Sequence, residues 1–134
     1  MSTLEEIKNN RILQNHFMTY NFIELSTLEQ DRAECRLTLR TESTNPYGIL
    51  HGGALYTMAD CATGSAAHSD GRTYVTQNSS MSFLSNIKEG TAVAAASVVH
   101  RGRKTCLVSV NITSEATGKL LATGSFTFFC TAKE

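Results

Sequence analysis

Proline is almost absent from this 134-residue chain, which has one, Pro46, and no Pro-, Gly- or Ser-rich stretch divides it. With no linker, internal repeat or low-complexity segment, residues 1–134 are expected to form one domain, long enough to bury a real core. A surplus of either charge is missing too: twelve Lys and Arg balance twelve Asp and Glu, and the pI is near 6.9. That balance argues against the extended basic surface that nucleic-acid or anionic-membrane binding usually needs. No apolar run approaches the roughly 18 residues of a membrane span. The opening Met1-Ser2-Thr3-Leu4-Glu5-Glu6 lacks the basic region and apolar core of a signal peptide. The protein is therefore expected to be soluble and cytoplasmic. Cys35, Cys61, Cys106 and Cys130 lie far apart with no Cys-x-x-Cys pair, so buried reduced thiols are expected. His16, His68 and His100 have no metal-ligand spacing, and no metal site is expected.

What the chain does have is the stretch Asn45-Pro46-Tyr47-Gly48-Ile49-Leu50-His51-Gly52-Gly53, followed by Ala54-Leu55-Tyr56-Thr57-Met58-Ala59-Asp60. Ala54, Leu55, Met58, Ala59 and Ala62 recur at i, i+3 and i+4, which predicts a helix running to about Ala67 with one apolar face and Asp60 off its centre. A helix N-terminus thus stands at the end of a glycine-containing loop. Its first N–H groups have no partner inside the helix, and the macrodipole adds positive charge there, so an oxygen gaining negative charge is stabilised.

Before this stretch, Leu4, Ile7, Ile12 and Leu13 suggest an amphipathic helix over 3 to about 15. Alternation then predicts strands over 20–27 and 32–40, paired as a hairpin across Glu29-Gln30-Asp31. After it, residues 73–84, 91–100, 104–114 and 119–130 read as strands bounded by turns at 88–90, 101–103 and 116–119. The short turns among these four favour antiparallel neighbours. One helix cannot cover both faces of six strands, whereas a curved antiparallel sheet wrapped around it satisfies the pattern. Small residues at Ala62, Gly64, Ala66 and Ala67 permit close packing.

Asn-x-x-Gly-x-x-His-Gly-Gly followed by a helix with an aspartate resembles the signature of PaaI-type acyl-CoA thioesterases of the hotdog-fold superfamily. Asn45, Gly48, His51, Gly52, Gly53 and Asp60 all match it, and the resemblance covers nearly the whole chain after the first dozen residues. It implies an α+β hotdog fold, with about six curved antiparallel strands around a central helix, and hydrolysis of a small or aromatic acyl-CoA. Coenzyme A then belongs to the substrate, and no metal or redox cofactor is required. It assigns carbonyl polarisation to the Gly52 N–H, positioning of the nucleophile or carbonyl to Asn45, and attack or water activation to Asp60. Thr76 aligns with a position that orients the water or the carboxylate, while His51 and Gly53 belong to the binding loop, His51 mainly ordering it. Each has a plainer reading as well: a turn glycine, a turn-capping Asn, an exposed or ion-paired Asp, a β-forming Thr. Arg101, Arg103 and Lys104 on a tight turn could meet the phosphates of coenzyme A or be merely solvated.

Gly52 and Asp60 are eight positions apart, or about 12 Å along a helix axis, so one carbonyl cannot meet both from a single chain. The resemblance implies dimers, often paired into tetramers, and an antiparallel helix pair would bring Gly52 of one copy to Asp60 of another. Two other functions share this fold: a non-catalytic acyl-CoA-binding module and an enoyl-thioester hydratase or dehydratase. The latter usually pairs a catalytic His with a carboxylate in different motifs.

Overall fold

Thr3 opens the first helix with a capping box: its side chain accepts the Glu6 N–H and the Glu6 carboxylate accepts the Thr3 N–H. In the computed structural model, which describes residues 2–132, this helix is α1 (Leu4–Gln14), followed by α2 (His16–Tyr20). Two strands, β1 (Glu24–Glu29) and β2 (Arg32–Thr38), precede the long helix α3 (Gly52–His68). Four more complete the chain: β3 (Thr73–Phe83), β4 (Thr91–Arg101), β5 (Thr105–Ser114) and β6 (Leu120–Ala132). All six strands form one antiparallel sheet in the order β1-β2-β4-β5-β6-β3.

The sheet curves around α3, which buries Leu55, Met58, Ala59, Ala62, Ala66 and Ala67 against it. Alternation explains which residues face the helix: Ala33, Cys35 and Leu37 on β2, Ala92, Ala94 and Ala96 on β4, and Cys106, Val108, Val110 and Ile112 on β5 are all buried. Ala59, Ala62, Ala66 and Ala67 of α3 and Ala92, Ala94 and Ala96 of β4 are all buried where the two elements meet, and such small side chains permit close packing. This is the expected hotdog arrangement. Cys35, Cys61 and Cys106 are buried thiols, and Cys130 is half-buried.

Two expectations are corrected. The segment from 20 begins as helix and turn, not strand: Asn15 caps α2 by accepting the Met18 N–H, the chain reverses with Phe22 at φ 61°, and extension starts only at Glu24. In addition, β3 does not neighbour β4. It pairs with β6 at the far edge of the sheet, and the connection through residues 84–90 spans two intervening strands.

Candidate active site

The loop before α3 is built on Asn45. Its Oδ1 accepts the N–H groups of Tyr47 at 2.9 Å and Ile49 at 3.3 Å, while its own N–H donates to Ile49 O. Gly48 takes φ 77° in this tight reversal, a conformation that side chains oppose. The loop is pinned from outside by Asn86, which accepts the Leu50 N–H at 3.0 Å and donates to Leu50 O at 2.9 Å. Sequence reasoning missed Asn86, since nothing local connects it to a loop 36 positions away. The turn-capping role of Asn45 is thus present, and it leaves Nδ2 with no assigned acceptor among the described residues.

His51 is the N-cap of α3, its Nδ1 accepting the Gly53 N–H at 2.8 Å. With Nδ1 as acceptor the neutral ring carries its proton on Nε2. The N–H groups of Ala54 and Leu55 both donate to His51 O. In the first turn, that leaves the Gly52 N–H as the donor with no assigned acceptor among the described residues. A Cβ at Gly52 would find its nearest neighbour, Phe83 Cε1, at 4.0 Å, so nothing crowds the α-carbon of this residue. Beside it lies a cavity of about 710 Å³, lined in part by Phe17, Tyr20, Phe22, His51, Gly53 and Thr57.

Two turns down α3, Asp60 meets β3. Thr76 donates its hydroxyl hydrogen to Asp60 Oδ1 at 2.7 Å, so two residues singled out separately in the sequence form one pair. Asp60 is half-buried in a groove of about 250 Å³. Asn45, His51, Gly52 and Gly53 therefore form one group and Asp60 with Thr76 another, on different parts of α3.

The basic turn splits as well. Arg103 and Lys104 are exposed, but the Arg101 side chain turns back to the C-terminal end of α3. There it donates to Ala66 O and Ala67 O, to Asp31 Oδ1 at 2.8 Å and to Asp70 Oδ2 at 2.8 Å. Burial opposes the charge on Asp70, yet hydrogen bonds from Tyr74 and Arg72 and the nearby Arg101 outweigh it and hold the carboxyl below its usual range. The pKa of His68 is lowered as well, but here that favours the neutral form: burial, with Arg11 adding to it, brings it down to about 4. The neutral ring donates from Nδ1 to Gly64 O and accepts the Tyr74 N–H at Nε2. Among the described residues, no three His, Cys, Asp or Glu side chains converge to hold a metal ion, and no helix is long and apolar enough to cross a membrane.

Residues 47–121 match the family model of the thioesterase superfamily. The chain is 30% identical over 129 residues to acyl-coenzyme A thioesterase 13 of Homo sapiens, covering 94% of this chain and 92% of that one. Among solved structures, a hypothetical thioesterase from Streptococcus pneumoniae with coenzyme A superposes with a TM-score of 0.84 at 29% identity, covering 92% of this chain and 98% of that one. Two further structures of a hypothetical thioesterase from that organism have alanine in place of an aspartate and of a threonine sixteen positions apart, the same interval as Asp60 and Thr76. The PaaI protein from the phenylacetic acid degradation operon of E. coli shares the fold, with a TM-score of 0.89 at 22% identity over 95% of this chain and 92% of that one. With the family model spanning more than half of its length and a curated relative aligned almost end to end, the chain belongs to the thioesterase superfamily.

Proposed function

We propose that the protein hydrolyses acyl-CoA thioesters at a site shared by two copies of the chain. The observation behind this is the Gly52 N–H at the start of α3, which has no assigned acceptor among the described residues and stands between His51 and Gly53, two residues that line a cavity. A preorganised donor in such a position stabilises the oxygen of a carbonyl under attack. The Asn45 Nδ2 group, free of the loop it orders, supplies a second donor for the water or the carbonyl.

The attacking group comes from Asp60 of the other copy, fixed by Thr76. As general base it takes a proton from water; the water oxygen bonds to the carbonyl carbon, and the π electrons move onto the oxygen at Gly52. As nucleophile, Asp60 forms that bond itself and water later releases the acid. In both routes the electrons return from the oxygen, the C–S bond breaks with its pair on sulfur, and coenzyme A leaves as thiol by taking up a proton, the one held by Asp60 in the base route and one from water in the other.

Sharing is supported by the sheet edge. Strand β3 presents an outer backbone edge with no partner strand among the described residues, and Val75 and Phe83 on it are 54% and 51% exposed. An antiparallel β3–β3 contact would cover that edge and align the two α3 helices in opposite directions. Pairing of such dimers into tetramers is the further association that the resemblance implies. Arg103 and Lys104 suit the phosphates of coenzyme A. The hydratase alternative finds less support, because His51 is taken up by the helix cap and Asp60 is paired with a hydroxyl. A panel of acyl-CoAs assayed for free thiol tests the proposal: thiol release is expected, whereas loss of enoyl absorbance without it, or tight binding with neither, would replace it.

A further inference from the structure

Gly64 sits in the interior of α3, where glycine costs about 1 kcal/mol relative to alanine, and the space above it is taken. A Cβ there would lie 3.1 Å from Arg11 Nη2 and 3.5 Å from Phe128 Cε1. Arg11 arrives from α1, held by its Nε donating to Ser65 Oγ at 2.8 Å, while Ser65 donates in turn to Cys61 O. The guanidinium is thus laid along α3 and partly desolvated. Burial lowers its pKa, with the fields of Cys61, Cys35 and Asp60 opposing. No carboxylate among the described residues pairs with it, and neither Nη has an assigned acceptor. A cation drawn partly out of water without a directly hydrogen-bonded counter-ion is costly, and Asp60 acts on it only through its field.

Arg11 lines the same groove as Asp60. The other polar side chains there are already engaged. Asn15 accepts the Met18 N–H and donates to Cys61 Sγ; His68 uses both ring nitrogens; Tyr74 donates to Asp70 and Thr76 to Asp60. What remains without an assigned partner is Asp60 Oδ2 and the two Nη groups of Arg11. These nitrogens form one edge of the guanidinium, the fork that grips a carboxylate through two parallel bonds. The groove holds about 250 Å³, and with a water-sized group needing about 30 Å³ that is room for a short acyl chain of several heavy atoms.

We infer that this groove is the acyl subsite for thioesters whose short acyl group ends in a carboxylate, and that Arg11 binds that end. The inference rests on the thioesterase reading above, with the carbonyl at Asp60 and the acyl chain lying along α3 over Gly64.

The test compares glutaryl-CoA with valeryl-CoA, which have the same chain length with and without the terminal charge. Wild-type protein is expected to favour glutaryl-CoA by at least tenfold in kcat/KM, and Arg11→Met to reduce that ratio at least tenfold, chiefly through KM, with Arg11→Lys in between. No preference in the wild type, or equal loss on both substrates in Arg11→Met, overturns the subsite; the wild-type ratio decides even if the variant does not fold. Calorimetry with non-hydrolysable thioether analogues of both substrates separates the two readings. Arg11-dependent preference for the glutaryl analogue without hydrolysis leaves the subsite standing and removes the thioesterase. Hydrolysis of both substrates without preference does the reverse.

Discussion

The Thr76 hydroxyl donates to Asp60 Oδ1 at 2.7 Å, tying the edge strand β3 to the middle of α3. One carboxylate oxygen is thereby fixed and the other has no assigned partner. Losing a hydrogen bond to a charged group costs about 1.5–3 kcal/mol, so Thr76→Ala is expected to lower kcat roughly ten- to a hundredfold, while Thr76→Ser retains most of it. Asp60→Asn keeps the shape and removes the charge, so turnover should vanish while thermal unfolding and ligand binding persist. Near-wild-type rates in purified Asp60→Asn would end its assignment to the chemistry.

Gly52→Pro offers a clean deletion of one N–H. Proline is favoured at the first helical position, and His51 before it, at φ −64° and ψ 136°, has a backbone that tolerates a following proline. The variant should fold with kcat down about 10²–10³-fold. Gly53→Ala acts differently: its Cβ would come within 3.0 Å of His51 Nδ1, disturbing the cap. Its effect is expected mainly in stability, and equal catalytic losses in both variants would mean that the turn matters rather than the donor.

Mixed dimers of an Asn45→Ala chain and an Asp60→Ala chain should regain activity, since each would have one intact site and one doubly altered site. Both parent homodimers are impaired at every site. Purified mixed dimers no more active than the parents would remove the shared site.

Arg103→Ala combined with Lys104→Ala is expected to raise KM for acyl-CoA and scarcely affect a truncated pantetheine thioester. Arg101→Ala should show itself in the melting temperature instead. Its removal takes one donor from each of Asp31, Asp70, Ala66 O and Ala67 O, although Arg72 and Tyr74 still hold Asp70 and Ser69 still donates to Ala66 O. Losing hydrogen bonds to charged groups costs about 1.5–3 kcal/mol. Steady-state kinetics on both substrates, with thermal melts, distinguish the two outcomes.

His68 sets a pH window. Its folded pKa of about 4 lies below the ordinary 6.5, so between these values the unfolded chain binds a proton that the folded one refuses. Its contribution is complete above about 6.5 and falls away as pH drops toward 4, by about 3 kcal/mol at the end. Denaturation midpoints from pH 7 to 4 should show this slope, and His68→Gln should flatten it. Asp70, whose carboxyl is held below the usual aspartate range, contributes its own acid sensitivity lower still.

Strands β2, β4, β5 and β6 were legible because alternation marks a surface that is buried on one side, and α3 because its small residues recur at helical spacing. The short helix α2 escaped because five residues give no readable period and its aromatic residues look strand-like. The position of β3 escaped because the length of the 84–90 connection does not reveal which strands it passes. At the site, Gly52, Asp60 and Thr76 could be named from the motif, but the hold of Asn86 on Leu50 and the pull of Asp31 and Asp70 on Arg101 are long-range contacts with no local mark.

Strand β3 finds its intrachain partner at the far end of the sequence: Phe83 pairs with Ala122 and Thr73 with Ala132. The pairs β1–β2, β2–β4 and β4–β5 can close before β6 exists, and β5–β6 closes across a short turn as soon as it does. Distant pairing must pay its loop-closure entropy before any contact rewards it. Folding order follows: α3 can settle against β2, β4 and β5 first, and the strand bearing Thr76 docks last. On the ribosome, the carboxylate of Asp60 is in place before the hydroxyl that steadies it, and the catalytic half of the molecule is completed only as its final strand emerges.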